Sequence, residues 1–140
     1  MNFNEFHSAL GQAVMYCQII EHDVKAIYAA MAKGDYKKNL ADVQKMTLGQ
    51  AVQELRELDR SGGYNRLSED DYGYLLQIAG CRNHWCHEAY VTFAYEKNFL
   101  QGSAYKRECE RLENDKQTLA AVYKVVEKVK IAVMRDFGRV

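Results

Sequence analysis

The chain has 140 residues, of which 48% are apolar and 27% are charged, and its formal net charge is zero. This composition excludes an intrinsically disordered chain, and the length suits one domain with a single core. Zero net charge excludes a global field that attracts nucleic acid, so a bound polyanion would need a local basic patch. The amino terminus lacks the features of a secretory signal, and no stretch approaches the roughly 20 apolar residues that cross a bilayer. We therefore expect a single domain over residues 1–140, located in the cytoplasm and not in a membrane.

The first half of the chain predicts one long helix, a short helical turn and a second helix. There is no proline to interrupt helices, and apolar residues recur every three or four positions from Phe3 to Met31, as on one face of a helix. Gly34 can close that helix in the left-handed conformation. Residues 40–46 indicate only a short turn of helix. Thr47 is a suitable N-cap for the second helix, which residues 61–63, Ser-Gly-Gly, bring to an end.

The second half predicts two further long helices. Ser68 can cap the third helix, which the apolar pattern extends to about Lys97. A turn over residues 98–102 leads to the last helix, from about Ser103 to Asp136, in which Asp115 is the one polar interruption of the apolar stripe. Short connections make neighbouring helices antiparallel. The predicted fold is therefore all-α, an up-down bundle of about four long antiparallel helices.

The four cysteines lie within helical patterns and form no Cys-x-x-Cys pair. We expect reduced thiols that act as small apolar core residues. They are Cys17, Cys81, Cys86 and Cys109.

The third predicted helix is the informative one, because it is apolar on most sides and yet contains a polar cluster. The apolar residues indicate that it is central in the bundle or buried against a second subunit. Gly80, which is costly inside a helix, suggests a close approach to the helix backbone. Steps of three and four residues place several positions on one helical row. They are Gly80, Asn83, His87, Tyr90 and Ala94.

The cluster has the chemistry of an anion-binding and proton-transfer site. Arg82 offers a permanently charged fork for a phosphate, and His87 can exchange a proton near neutral pH. Asn83 can hold either His87 or the ligand in place by hydrogen bonds. A purely structural role is the alternative, with Arg82 paired to Glu21 or Asp23 of the first helix and His87 packed as a core residue.

A metal site is a further alternative for this cluster. Cys81, His84 and His87 follow one another at three-residue steps, but zinc would need additional ligands. We therefore expect no metal.

The segment Arg82-Asn83-His84-Trp85-Cys86-His87 resembles the Arg-x(4–6)-His signature of HEPN domains, in the form in which asparagine follows the arginine. The predicted helical bundle also resembles the HEPN fold. The resemblance thus covers the whole domain in architecture but only a few residues in motif. One branch of the family has a modified tyrosine two positions after the histidine. Here Tyr90 lies three positions after His87, which departs from that pattern.

The resemblance implies a metal-independent endoribonuclease without a cofactor, often a toxin or defence effector, whose two motif helices form a composite cleft in a homodimer. It implies catalytic roles for Arg82, Asn83 and His87, with His84 and Tyr90 as substrate contacts. RNA and a cognate antitoxin are the expected partners. A non-catalytic HEPN module that binds a nucleotide or a nucleotidyltransferase partner is the alternative function.

Basic residues of the last helix are candidates to extend the site. Lys106, Arg107 and Arg111 could enlarge the positive patch, or they could instead pair on a solvated face with neighbouring carboxylates. Those carboxylates are Glu108, Glu110 and Glu113.

Overall fold

The computed structural model describes residues 1–140, which form helices and turns and no β-strand. The prediction of an all-α protein is therefore confirmed. The five α-helices are α1 Phe3–Met31, α2 Tyr36–Gln44, α3 Leu48–Ser61, α4 Glu69–Asn83 and α5 Ser103–Asp136. Between α4 and α5 lie a π-helical turn at His84–Glu88, turns over residues 89–97 and a 3₁₀ helix at Phe99–Gln101. The short turn predicted before Thr47 is thus a nine-residue helix.

Two helices begin at the predicted caps. The hydroxyl of Thr47 accepts a hydrogen bond from the backbone N–H of Gln50, whose side chain accepts one from the N–H of Thr47. Ser68 and Asp71 form the same reciprocal pair at the start of α4. These capping boxes satisfy backbone donors that have no partner inside a helix. The predicted starts at Thr47 and Ser68 are confirmed.

Helix α1 is the central element of the fold. It contacts all four other α-helices, and its most extensive contact is with α5. The stripe predicted from the sequence is buried in one contiguous core, to which α5 contributes a matching stripe of leucines and valines. The fully buried members on α1 are Phe6, Ala13, Cys17, Ile20, Val24 and Ile27. The central position that the sequence suggested for the third predicted helix therefore belongs to α1.

The prediction that the third long helix continues to about Lys97 is wrong, because α-helical structure ends at Asn83. Buried residues of α4 are spaced by three, whereas those beyond it, Trp85, Ala89 and Phe93, are spaced by four. A regular α-helix of 3.6 residues per turn rotates off a four-residue stripe, so a wider turn keeps these side chains on the core. Phe93 is held in an aromatic cluster with residues of α1, the 3₁₀ helix and α5. Its partners are Phe3, Phe6, Phe99 and Tyr105.

None of the helices combines the length and the continuous apolar character that a bilayer crossing requires.

Candidate functional site

The Arg-Asn-His cluster lies where α4 passes into the π-helical turn. Such turns join residues five apart by backbone hydrogen bonds, and they occur frequently at functional sites. Two carboxylates of α5 hold this turn in place. His84 Nε2 lies 2.6 Å from Glu108 Oε2, and Trp85 Nε1 donates a 2.8 Å hydrogen bond to Asp115 Oδ2. Asp115, the polar interruption in the stripe of α5, is therefore a structural acceptor for the segment that carries the cluster.

Asn83 and His87 are both exposed to solvent. The polar contacts of this segment are made by their neighbours, His84, Trp85 and Glu88, and neither Asn83 nor His87 forms a hydrogen bond or ion pair within the chain. Both side chains thus retain their full hydrogen-bonding capacity for a ligand.

Arg82 faces α1 and lies beside Glu21. Its Nε is 3.0 Å from Glu21 Oε1, and the other oxygen of Glu21 accepts a hydrogen bond of 3.0 Å from Lys25 Nζ. The Arg82–Glu21 contact is an ion pair with poor hydrogen-bond geometry, since both atoms are buried and neither has a properly aligned partner. The structural alternative of a pair with Glu21 is therefore present. Asp23 instead binds Lys130 of α5 at 3.0 Å.

The two expected substrate contacts, His84 and Tyr90, have protein partners. His84 is 7% exposed, and its ring lies between the buried Glu108 and the carboxylate of Glu88 at 3.6 Å. It faces α5 and is not brought together with Asn83 and His87. Tyr90 is partly exposed, and its hydroxyl lies 2.6 Å from Nδ1 of His7.

Desolvation by its surroundings raises the pKa of Tyr90. Its partner His7 lies on α1, outside the motif. Only the aromatic spacing at the start of α1 points to this contact.

The basic residues of α5 have different surroundings. Lys106 and Arg107 are exposed and pair with none of the neighbouring carboxylates. The guanidinium of Arg111 lies over the Trp85 ring, 5.5 Å from its centroid, and 3.6 Å from Asp115. Arg111 therefore supports the π-helical turn, whereas Lys106 and Arg107 are free to contact an anionic ligand.

The cysteines follow the prediction only in part. Cys17 is fully buried, and desolvation raises its pKa to about 12, while Cys81 donates a hydrogen bond to Asp115. Cys86 is exposed, so the prediction of a core residue is wrong there, because the π-helical turn rotates it to the surface.

Gly80 lies on the exposed surface of α4. A Cβ atom added at Gly80 would meet no atom within 4 Å, so no close approach explains that glycine within the chain. No three His, Cys, Asp or Glu side chains converge to form a metal-binding group.

Comparisons of this chain with protein-family models, with curated proteins and with solved structures give no match.

Proposed function

We propose that this protein is a metal-independent endoribonuclease of the HEPN type, acting as a toxin or defence effector. The observation that supports the proposal is the pair of exposed and unpartnered side chains, Asn83 and His87, in the segment that begins with the cationic Arg82. Exposed polar side chains are hydrated in the free protein, so a ligand can replace the water without breaking a contact within the chain. Two such side chains on a turn held by tertiary contacts, one of which can exchange a proton, are suited to a ligand.

In the proposed reaction, His87 accepts the proton of a ribose 2′-hydroxyl as its oxygen attacks the neighbouring phosphorus. The bond from phosphorus to the 5′-oxygen breaks, that oxygen takes up a proton from water, and His87 then releases to solvent the proton that it accepted. The products are a 2′,3′-cyclic phosphate and a 5′-hydroxyl end. Arg82 stabilises the additional charge on the phosphate, and Asn83 orients the substrate or His87.

Arg82 can bind a phosphate although it contacts Glu21. A guanidinium has five N–H donors, and only Nε faces the carboxylate. The two terminal nitrogens have no acceptor in the chain and can bind phosphate in the bidentate manner typical of arginine. Glu21 then holds the side chain in one orientation.

The proposal also includes a homodimer that forms a composite cleft, a cognate antitoxin and a cytoplasmic location. A dimer would strengthen anion binding, because two copies of Arg82 would concentrate positive charge that the neutral chain otherwise lacks.

The test is incubation of the purified protein with labelled RNA and tRNA in EDTA, with identification of the product ends. We expect cleavage by the wild type and a loss of roughly 10²-fold or more for His87→Ala, the usual contribution of a general acid or base. Since His87 is exposed and unpartnered, its variant should melt at nearly the wild-type temperature. Asn83→Ala should also lower the cleavage rate. Its matched control is Asn114→Ala, which changes another exposed asparagine.

Three results would count against an active site at this cluster. They are absence of cleavage on any RNA by the folded wild type, full activity of His87→Ala, and a large loss of stability in that variant. The first result, combined with nucleotide binding, would favour the non-catalytic module.

A further inference from the structure

A shallow pocket of about 180 Å³ lies between α1, α2 and the end of α4. It is lined by polar side chains and no apolar one. The lining residues are Gln18, Glu21, His22, Lys25, Gln44 and Arg82. Five of these six residues come from α1 and α2, outside the sequence cluster. The volume is below the ~300 Å³ at which ordinary small-molecule sites begin, so the pocket suits a small group and not a whole nucleotide.

The charges of this pocket do not balance. Lys25 and Arg82 are both cationic and share the single carboxylate of Glu21, which leaves one positive charge in excess. Lys25 is only 3% exposed, and its remaining contact is a long one of 3.5 Å to the carbonyl of Gln44. A buried cation is costly unless an anion compensates it. An anionic ligand would supply the missing charge.

The polar groups of the pocket are incompletely bonded. Glu21 Oε1 and Arg82 Nε form a buried ion pair at 3.0 Å without a well-aligned hydrogen bond, and the side-chain amides of Gln18 and Gln44 are exposed and form no hydrogen bond within the chain. Buried polar groups in native proteins are nearly always well bonded, so this misaligned pair is an exception that favours a functional role. The open donors are amides and guanidinium N–H groups, the set that phosphate oxygens accept from.

We infer that this pocket binds a phosphate group of single-stranded RNA, held by Arg82 together with Gln18 and Gln44 and by the charge of Lys25. The inference rests on the proposed function, since the pocket shares Arg82 with the proposed site. It adds that α1 and α2 contribute substrate-binding residues. A free nucleotide phosphate has the same chemistry, and the experiment separates the two sources.

The first arm uses inorganic phosphate and the wild-type protein, followed by NMR of the side-chain N–H groups. We expect saturable shifts of the Gln18 and Gln44 amide signals and of the Arg82 Nε–H signal. Gln44→Glu, which adds an exposed negative charge at the rim, should abolish saturation. Gln53→Glu makes the same change at an exposed site on α3 and should leave it intact. Shifts that do not saturate, or that persist in Gln44→Glu, would overturn the inference.

The second arm measures binding of a single-stranded RNA and of adenosine 5′-monophosphate to the cleavage-deficient His87→Ala protein. We expect the RNA to displace the mononucleotide, and Gln44→Glu to weaken RNA binding roughly tenfold by losing a charge-assisted contact. Mononucleotide binding that RNA does not displace would reject RNA as the source.

The two proposals fail separately in these experiments. Saturable phosphate and RNA binding without any cleavage by the wild type rejects the ribonuclease and keeps the pocket. Cleavage that is unaffected by Gln44→Glu rejects the pocket and keeps the ribonuclease.

Discussion

Two carboxylates from distant parts of the chain hold two basic side chains of the Arg-Asn-His segment. Glu21 of α1 contacts Arg82, and Glu108 of α5 binds His84. Asn83 and His87, which lie between and beyond them, have no such partner. The segment is therefore held at two positions by contacts within the chain, and at two others its side chains have no partner. Such an arrangement pre-organises a binding site.

The Glu108–His84 contact should stabilise the fold, because removing one partner leaves a buried polar group unsatisfied. We expect Glu108→Ala to lower the free energy of unfolding by about 1–3 kcal/mol. Glu108→Gln keeps an acceptor for the imidazole and should lose less. Urea denaturation measures both, with Glu110→Ala at an exposed neighbouring position as the control. Equal stability of Glu108→Ala and wild type would show that the contact contributes nothing.

Thiol reactivity should distinguish Cys86 from Cys17. The thiolate is the reactive form, and Cys17 is fully buried with its pKa raised to about 12, whereas Cys86 is exposed. We expect Cys86 to react in the native protein and Cys17 to react only after denaturant is added. Mass spectrometry of the labelled peptides checks the order. Fast labelling of Cys17 would contradict its position in the core.

At the scale of the helical elements, backbone carbonyl groups at the carboxyl end of α1 accept hydrogen bonds from side chains outside that helix. The last turn contains no basic residue, and its carbonyl groups accept from Asn39 of α2 and Arg139 of the carboxyl-terminal tail. Arg139 donates to the carbonyl oxygens of Ala30, Ala32 and Gly34 at 3.0–3.1 Å. A cation at this position also complements the helix dipole.

We expect Arg139→Ala to lower the free energy of unfolding by about 1–2 kcal/mol, since several charge-assisted hydrogen bonds are lost. Arg135→Ala is the matched control, because Arg135 is largely exposed and pairs only with the adjacent Asp136. Exposed pairs of this kind contribute little. Chemical denaturation of both variants tests the comparison, and a larger effect at Arg135 would contradict it.

At the scale of the whole molecule, the proposed composite cleft requires residues from two protomers. Arg82→Ala and His87→Ala should each be inactive alone. If each site takes its arginine from one protomer and its histidine from the other, a mixed dimer regains one intact site of two. Random reassociation of equal amounts makes half of the dimers mixed. Because each mixed dimer has one intact site of two, activity should return to about a quarter of the wild-type value.

The control for this experiment is a mixture of two His87→Ala preparations, which should stay inactive. Sedimentation under the same conditions measures the fraction of dimer. A dimer whose mixed form has no restored activity would place both residues of a site in one protomer, and a monomer would exclude the composite cleft.

The sequence by itself determined the parts of this protein that depend on local spacing. Helix periodicity and capping are local interactions, so short segments of sequence predict them. They predict the apolar stripes of α1 and α5 and the caps at Thr47 and Ser68, and the sequence also shows the position of the Arg-Asn-His cluster. The polar Asp115 in an apolar stripe was one hint of a contact between helices, but it could not identify Trp85 as the partner. The expected pair of Arg82 with Glu21 or Asp23 was another, and the structure contains the contact with Glu21.

The tertiary structure alone decided how the segment after Asn83 folds and which polar side chains are open. Contacts of Trp85 with Asp115, of His84 with Glu108 and of Phe93 with the aromatic cluster replace the α-helix that the apolar pattern predicts there. The same segment buries His84 and leaves Cys86 exposed. The hydrogen-bond partners of His84 and Trp85 lie more than 20 residues away in sequence, and no local pattern specifies which surfaces a closed core brings together.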